Sequence, residues 1–294
     1  MYSFQLSCES TIDLPYKEVS ARDISVLFYA YMIDGVEYPD DMGRTENGLS
    51  DFYKRLSAGA LPTTSQINEA DYEAYFRPLL QKGDVLHIVF GSGMTASIDG
   101  ARRAAERLRQ EFPQRQLLVL DSTCSCCGYG LLVEAAADLR DAGKSMEETA
   151  DFVEKNCHRI HHQFYSTDMK FFRRSGRVSG PMAAIATVLN ICPIMRLNYD
   201  GRIIAYSKAR GKKAAVKTTI AAMQQHIDGG QDYNGKCFIS HSNCLQDAHE
   251  MRQAIMEAFP KISEARILDI GTIIASHCGP GTVAVFFWGD ERPQ

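Results

Sequence analysis

In this 294-residue chain, residues suited to chemistry fall in four places. The first is Gly91-Ser92-Gly93-Met94-Thr95, between an apolar run over 85–90 and a helical pattern from about Ser97. A strand ending where a helix begins gathers free backbone N–H groups and the positive end of the helix dipole, which favours a carboxylate or phosphate. The same residues also suit a tight turn with a capping serine, so an anion site and a plain turn both remain open. Ser92 could act as a nucleophile beside an imidazole, but Gly91-Ser92-Gly93 does not fit the Gly-x-Ser-x-Gly elbow. No Gly-x-x-x-x-Gly-Lys-Ser/Thr loop and no Gly-x-Gly-x-x-Gly after a strand occurs, which argues against nucleotide chemistry on this chain.

The second place is a pair of clusters, Cys124-x-Cys126-Cys127 and His158-x-x-His161-His162. Their donor types suit a metal, yet structural zinc sites show two clearly spaced ligand pairs, and none aligns here. No metal is expected; the cysteines should pack at a turn and the histidines on a solvated helix face. The third is residues 170–217, with 11 lysines and arginines against the one acid Asp200, a net of +10. That is either a solvated face or a surface for an acidic protein or a phosphate. Aromatics over 173–217 are limited to Tyr199 and Tyr206, which speaks against stacking on single-stranded nucleic acid. The fourth is His277, between an apolar segment and Gly279-Pro280-Gly281, read singly as either a structural group or a ligand contact.

Composition narrows the classes. Hydrophobic residues make up 45% and charged residues 23%, an ordinary globular balance. A net charge of −4 excludes a uniformly cationic nucleic-acid coat. The halves differ, with 16 basic and 25 acidic residues over 1–160 (net −9) and 16 and 11 over 161–294 (net +5). With no apolar run of 18 and no leader pattern, a cytoplasmic protein without stable membrane insertion is expected. Nine cysteines, an odd count without paired spacing, fit a reducing compartment.

The elements that must position these groups follow from period and turn chemistry. Strands are expected over 2–8, 24–33 and 36–38, the last two joined by a hairpin at Asp34-Gly35, and over 85–90 and 117–121. Helices are expected over 49–57, 68–81, from Ser97 to about Phe112, 128–142 and 145–164, the last opened by Ser145 and Glu148 in capping-box spacing. Strand, helix, strand over 85–121 implies a right-handed crossover between parallel neighbours. An arginine-rich loop follows, then a helix over 182–190 and strands over 194–198 and 202–207 around Asp200-Gly201. Helices over 212–226 and 247–259 and strands over 236–241, 266–270 and 283–288 complete the second half.

Four segments in order across nearly the whole chain resemble the DegV family. They are Pro62-Thr63-Thr64-Ser65-Gln66, Gly91-Ser92-Gly93-Met94-Thr95-Ala96-Ser97, Arg174-Ser175-Gly176-Arg177 and His277-Cys278-Gly279-Pro280-Gly281. Glu9-Ser10-Thr11 and Asp121-Ser122 are supporting matches. The better-understood members are fatty-acid-binding subunits of bacterial fatty acid kinase. The resemblance implies an α/β protein of two domains, an N-terminal parallel-sheet α/β domain over 1–164 and a C-terminal α/β domain with a hairpin over 165–294. One fatty acid would lie between them, its carboxylate in the first and its tail in the second.

By motif matching, Thr63, Thr64, Ser92, Gly93 and His277 would gather the carboxylate, while Arg177 and Arg210 would engage the kinase subunit or its phosphate. The kinase would supply nucleotide and catalysis, leaving this chain a non-catalytic carrier without cofactor. Departures from the family pattern are Gly91 for a first serine, Ala96 for glycine, Ile67 for proline and Glu9 for aspartate. Ile185, Val188, Leu189, Ile194, Ile273 and Ile274 are candidates for the acyl tail, with core packing the other fate of each. Each buried tail carbon contributes roughly 0.8 kcal/mol gross, whereas the carboxylate needs hydroxyls, amides or an imidazole to replace its water. The other reading is a serine hydrolase or acyltransferase with Ser92 as nucleophile and His277 as base.

Overall fold

The computed structural model describes residues 2–179 and 190–294. The strands of the first half are β1 (Gln5–Glu9), β2 (Ile24–Leu27), β3 (Ala30–Ile33), β4 (Val36–Pro39), β5 (Thr63–Thr64), β6 (Val85–Val89) and β7 (Leu117–Asp121). Its helices are α1 (Tyr16–Ala21), α2 (Gly48–Ser57), α3 (Glu69–Leu80), α4 (Ser97–Glu111), α5 (Cys126–Asp141) and α6 (Met146–Asn156). The second half adds β8 (Ile160–Ser166), α7 (Lys170–Ser175), β9 (Val178–Ser179), β10 (Ile191–Leu197), β11 (Ile203–Arg210) and α8 (Lys212–His226). It ends with β12 (Lys236–His241), α9 (Leu245–Ala258), β13 (Glu264–Asp269), α10 (Thr272–Cys278) and β14 (Thr282–Trp288).

The first sheet is parallel in the order β2-β1-β6-β7. All five residues of β6 are buried, as expected of a parallel strand covered on both faces. Between β6 and β7, α4 turns Ile98, Ala101, Ala105 and Leu108 inward, the period that marks a crossover helix. The apolar run over 24–33 is not one strand. Ile24–Leu27 joins the parallel sheet, and Ala30–Ile33 leaves it to pair antiparallel with β4 and β5. Asp34 and Gly35 both have positive φ, the conformation of the expected two-residue hairpin turn.

The second sheet has seven strands in the order β13-β12-β14-β8-β10-β11-β9. The helix expected over 145–164 stops at Asn156. Its capping box forms, with Ser145 and Glu148 bonded reciprocally, but residues 160–166 are the fully buried strand β8 in the middle of this sheet. His161 and His162 are therefore core residues rather than members of a solvated helix face. They are tolerated there because each finds polar partners, Asp290 for one and Ser125 and the Ile160 carbonyl for the other. A boundary between residues 164 and 165 would cut β8. The arginine-rich loop contains the short helix α7, capped by Gly176 at φ 67°. The helix expected over 182–190, and with it Ile185, Val188 and Leu189, lies outside the described residues apart from Asn190.

Helix α5 packs against β1 of the first sheet and against β8, β12 and β14 of the second. It is buried on nearly every side, as a helix sandwiched between two sheets must be. A side chain at Gly128 would meet the His162 Nε2 at 2.3 Å, so glycine lets the helix approach the second sheet. Arg292, also buried, ties the sheets together by donating to the Thr123 carbonyl and hydroxyl and to the Ile160 carbonyl. One apolar core runs from the first sheet to the near face of the second, and another fills the space between its far face and α8 and α9.

Candidate ligand-binding cavity

The chain leaves β1 toward β2 on one side of the first sheet and later enters β6 on the other. The crevice beyond the carboxyl ends of β1 and β6 is thus a topological switch point, where open α/β sheets bind ligands. A cavity of about 390 Å³ lies there, within the roughly 300–1,000 Å³ of small-molecule sites. Phe90, Met94, Thr95 and Ala96 line it from the β6–α4 loop and Tyr29 from the β2–β3 connection. Thr64, Ser65 and Gln66 come from β5 and the loop after it, Phe172, Ser175 and Arg177 from α7 and its end, and Ile273, Ile274, His277 and Cys278 from α10.

The polar groups are held by one another. The Thr64 Oγ1 and His277 Nε2 are 2.8 Å apart. Tyr29 donates to the Ser97 Oγ at 2.8 Å, and the Ser97 hydroxyl lies 3.0 Å from the Thr95 Oγ1, fixing the start of α4. Arg174 donates to the carbonyls of Leu61, Pro62 and Ser276, so α7 clamps the Pro62-Thr63-Thr64 segment against α10. Burial, and then the charges of Arg177 and Arg174, push the His277 imidazole down to about 4, leaving it neutral near pH 7. Burial and the neighbouring Glu9 push the Tyr29 phenol up, so it stays a donor.

Toward the second sheet the lining becomes apolar. Met94, Phe172, Ile203, Ile274 and Cys278 continue from the polar part into an extension of about 60 Å³ walled by Phe164, Leu197, Ile270, Ala284 and Phe286. Ile274 belongs to both parts. Ile194 does not reach either, because it lies in the second core on the far face of the sheet. Cys124, Cys126 and Cys127 pack as buried free thiols, and Cys126 also borders the apolar extension.

Of the residues matched to the carboxylate, Thr64 and His277 come together in the cavity wall, whereas Thr63, Ser92 and Gly93 are absent from its lining. Ser92 is exposed and its amide donates to the Asp121 Oδ1 at 3.1 Å, which turns it toward the β7 end. Gly93 answers to a different constraint. A Cβ there would sit 2.5 Å from the Asp200 carbonyl oxygen, so the hairpin tip of the second sheet rests on this loop only because the residue is glycine. Thr95, two residues further on, supplies the loop's hydroxyl to the cavity. Arg177 lines the cavity; Arg210, at the end of β11, is exposed and outside the lining. Sequence reasoning missed Tyr29, Leu197, Ile203 and Phe286, which carried only a strand signal, and Phe164, which fell in the helix expected over 145–164.

The sequence model of the DegV family, described as an uncharacterised protein family, matches residues 3–290. A DegV domain-containing protein of Clostridium perfringens is 32% identical over 99% of each chain. A solved DegV family protein from Thermus thermophilus, reported for its fatty acid binding, is 27% identical and superposes with a TM-score of 0.85, covering 98% of this chain and 100% of its own. The fatty acid kinase B3 protein of Streptococcus pneumoniae, solved loaded with linoleic acid, shares the fold at 17% identity and a TM-score of 0.83, with 98% and 100% covered. Matched from residue 3 to residue 290 and aligned end to end with its Clostridium relative, this chain belongs to the DegV family.

Proposed function

We propose that the protein is a non-catalytic carrier, which holds one long-chain fatty acid between its sheets and offers the carboxylate to a separate kinase. The observation that carries this reading is the cavity itself, with Thr64, Thr95, Arg177 and His277 in one part and an apolar continuation in the other. The fatty acid binding of the Thermus relative and the linoleic acid in the Streptococcus protein support the ligand class. The kinase partner is supported by the latter protein's name and by the surplus of basic residues over 170–217.

The chemistry follows from donor order. With a proton on Nε2, neutral His277 donates to the Thr64 Oγ1, leaving the threonine hydrogen for a carboxylate. Thr95 adds a second hydroxyl, and the two hydroxyls replace water that the carboxylate loses. The tail contributes most of the affinity, at roughly 0.8 kcal/mol per methylene buried. Arg177, exposed on one side and facing the cavity on the other, would neutralise the phosphate brought by the kinase, and Arg210 would meet the kinase surface.

Extraction of the purified protein under denaturing conditions, followed by mass spectrometry, should release close to one long-chain fatty acid per chain. Protein that is repeatedly empty and binds no fatty acid on titration overturns the reading. A hydrolase built on Ser92 and His277 gains no support from the geometry, since the hydroxyl beside His277 is that of Thr64. Labelling of Ser92 by a fluorophosphonate would reverse that judgement.

A further inference from the structure

On the face of the second sheet opposite the cavity, three donor groups from distant parts of the chain converge. His162 and Phe164 of β8 turn toward the apolar extension, so His161, the residue before His162, points the other way, as strand alternation requires. Its Nε2 lies 3.0 Å from the Asp290 Oδ1 and 3.0 Å from the Asp290 carbonyl oxygen. The Nδ1 of His226, the last residue of α8, lies 3.0 Å from the same Oδ1. The three side-chain donor atoms all fall within 4.8 Å of one another.

We infer that His161, His226 and Asp290 form a binding site for one divalent transition-metal ion of the zinc class. Two imidazoles and a carboxylate are a recurring three-ligand set for such ions, leaving a further position for water or for the Asp290 carbonyl. The nitrogen donors select against magnesium and calcium, which prefer oxygen. Ligand atoms around tetrahedral zinc, each about 2.0–2.2 Å from the metal, stand about 3.3 Å apart; each imidazole nitrogen lies 3.0 Å from the Asp290 Oδ1, and the whole set falls within 4.8 Å.

The backbone preorganises the set. The Asp290 amide donates to the His226 carbonyl at 3.0 Å, and Ile227 bridges Gly289. Gly289 has no room for a side chain, because a Cβ would lie 2.1 Å from the His226 carbonyl oxygen and 3.0 Å from the His161 ring. The two imidazoles stack at 4.8 Å, with His161 backed by the Phe287 ring. His161 is buried, His226 is partly exposed and Asp290 is 59% exposed, so an ion can enter from solvent. Arg159, the cation on the neighbouring turn, is paired with Asp228 at 2.8 Å.

The test is calorimetric titration of chelator-treated full-length protein with zinc chloride alone, with magnesium chloride as the contrast. One zinc per chain is expected, with no heat from magnesium. His226→Ala and Asp290→Ala, which alter the two more exposed ligands and spare the buried one, should each weaken zinc binding at least about tenfold. Both variants should retain wild-type fatty acid binding, since the cavity lies on the other face. Absence of one-to-one zinc binding by the wild type, or undiminished binding by either variant, overturns the inference. Its outcome is independent of whether the cavity holds a lipid.

Discussion

The Thr64 hydroxyl and the His277 imidazole meet at 2.8 Å although 213 residues separate them. Thr64 stands on a two-residue strand held by Tyr31, and His277 on a seven-residue helix, so neither element is long enough to fix its own geometry. Arg174 supplies the missing restraint by bonding to carbonyls on both sides of the pair.

Thr64→Val removes the hydroxyl while keeping its shape. Loss of a hydrogen bond to a charged group costs about 1.5–3 kcal/mol, roughly a ten- to hundredfold rise in Kd. Thr64→Ser should restore most of the affinity in a fluorescent fatty acid displacement assay, and Ser92→Ala should leave it unchanged. Equal Kd values for wild type and Thr64→Val would remove Thr64 from the head-group site.

Arg174 does not line the cavity, so its effect on ligand must pass through the Pro62-Thr64 segment. Arg174→Ala is expected to weaken fatty acid binding about tenfold, the cost of a loosened charge-assisted clamp. Arg177→Ala, by contrast, should leave most binding intact and slow phosphate transfer by a kinase partner. Loss of lipid binding in Arg177→Ala with transfer unaffected would reverse these two assignments.

The fold was legible wherever local sequence settles structure. The crossover over 85–121, the Asp34-Gly35 turn and the Ser145 capping box rest on period, glycine and short-range bonding, and all three form. Strand β8 was misread because its polar residues, His161, His162 and Gln163, resemble a helix face until Asp290, Ser125 and Tyr206 arrive as partners from elsewhere. The cavity was half legible for the same reason. Motif order pointed to the β6–α4 loop, but whether Ser92 or Thr95 faces inward depends on how Asp121 draws the Ser92 amide and how the Asp200 hairpin presses on Gly93.

That pressure is measurable. Gly93→Ala must displace backbone of the hairpin tip, since the new methyl would meet the Asp200 oxygen at 2.5 Å and the Gly201 carbonyl carbon at 2.5 Å. Overpacking of this kind costs typically about 1–3 kcal/mol, which should lower the urea midpoint without changing the slope of the transition. A midpoint equal to that of wild type would mean that the two sheets do not depend on this approach.

His277 titrates at about 4, against 6.5 for an unperturbed imidazole, because burial and the two arginines oppose its cation. Between those values the unfolded chain binds a proton that the folded chain refuses. The stability due to neutral His277 is therefore complete above about pH 6.5 and lost progressively as pH falls toward 4. His277→Gln should show a smaller drop in urea midpoint between pH 7 and 4.5 than wild type; parallel drops would count against a buried neutral ring.

Ile274 borders both the polar part of the cavity and its apolar extension, so the proposed fatty acid would pass it on the way between them. Ile274→Trp fills that passage with a larger ring and leaves Thr64, Thr95 and His277 untouched. Each methylene kept in water forfeits roughly 0.8 kcal/mol, about a fourfold loss of affinity per carbon excluded. Across saturated acids of increasing length, wild-type affinity should keep rising where the variant's levels off several carbons earlier, with short acids bound equally by both. A variant that ranks the chain lengths as wild type does would place the tail along another path.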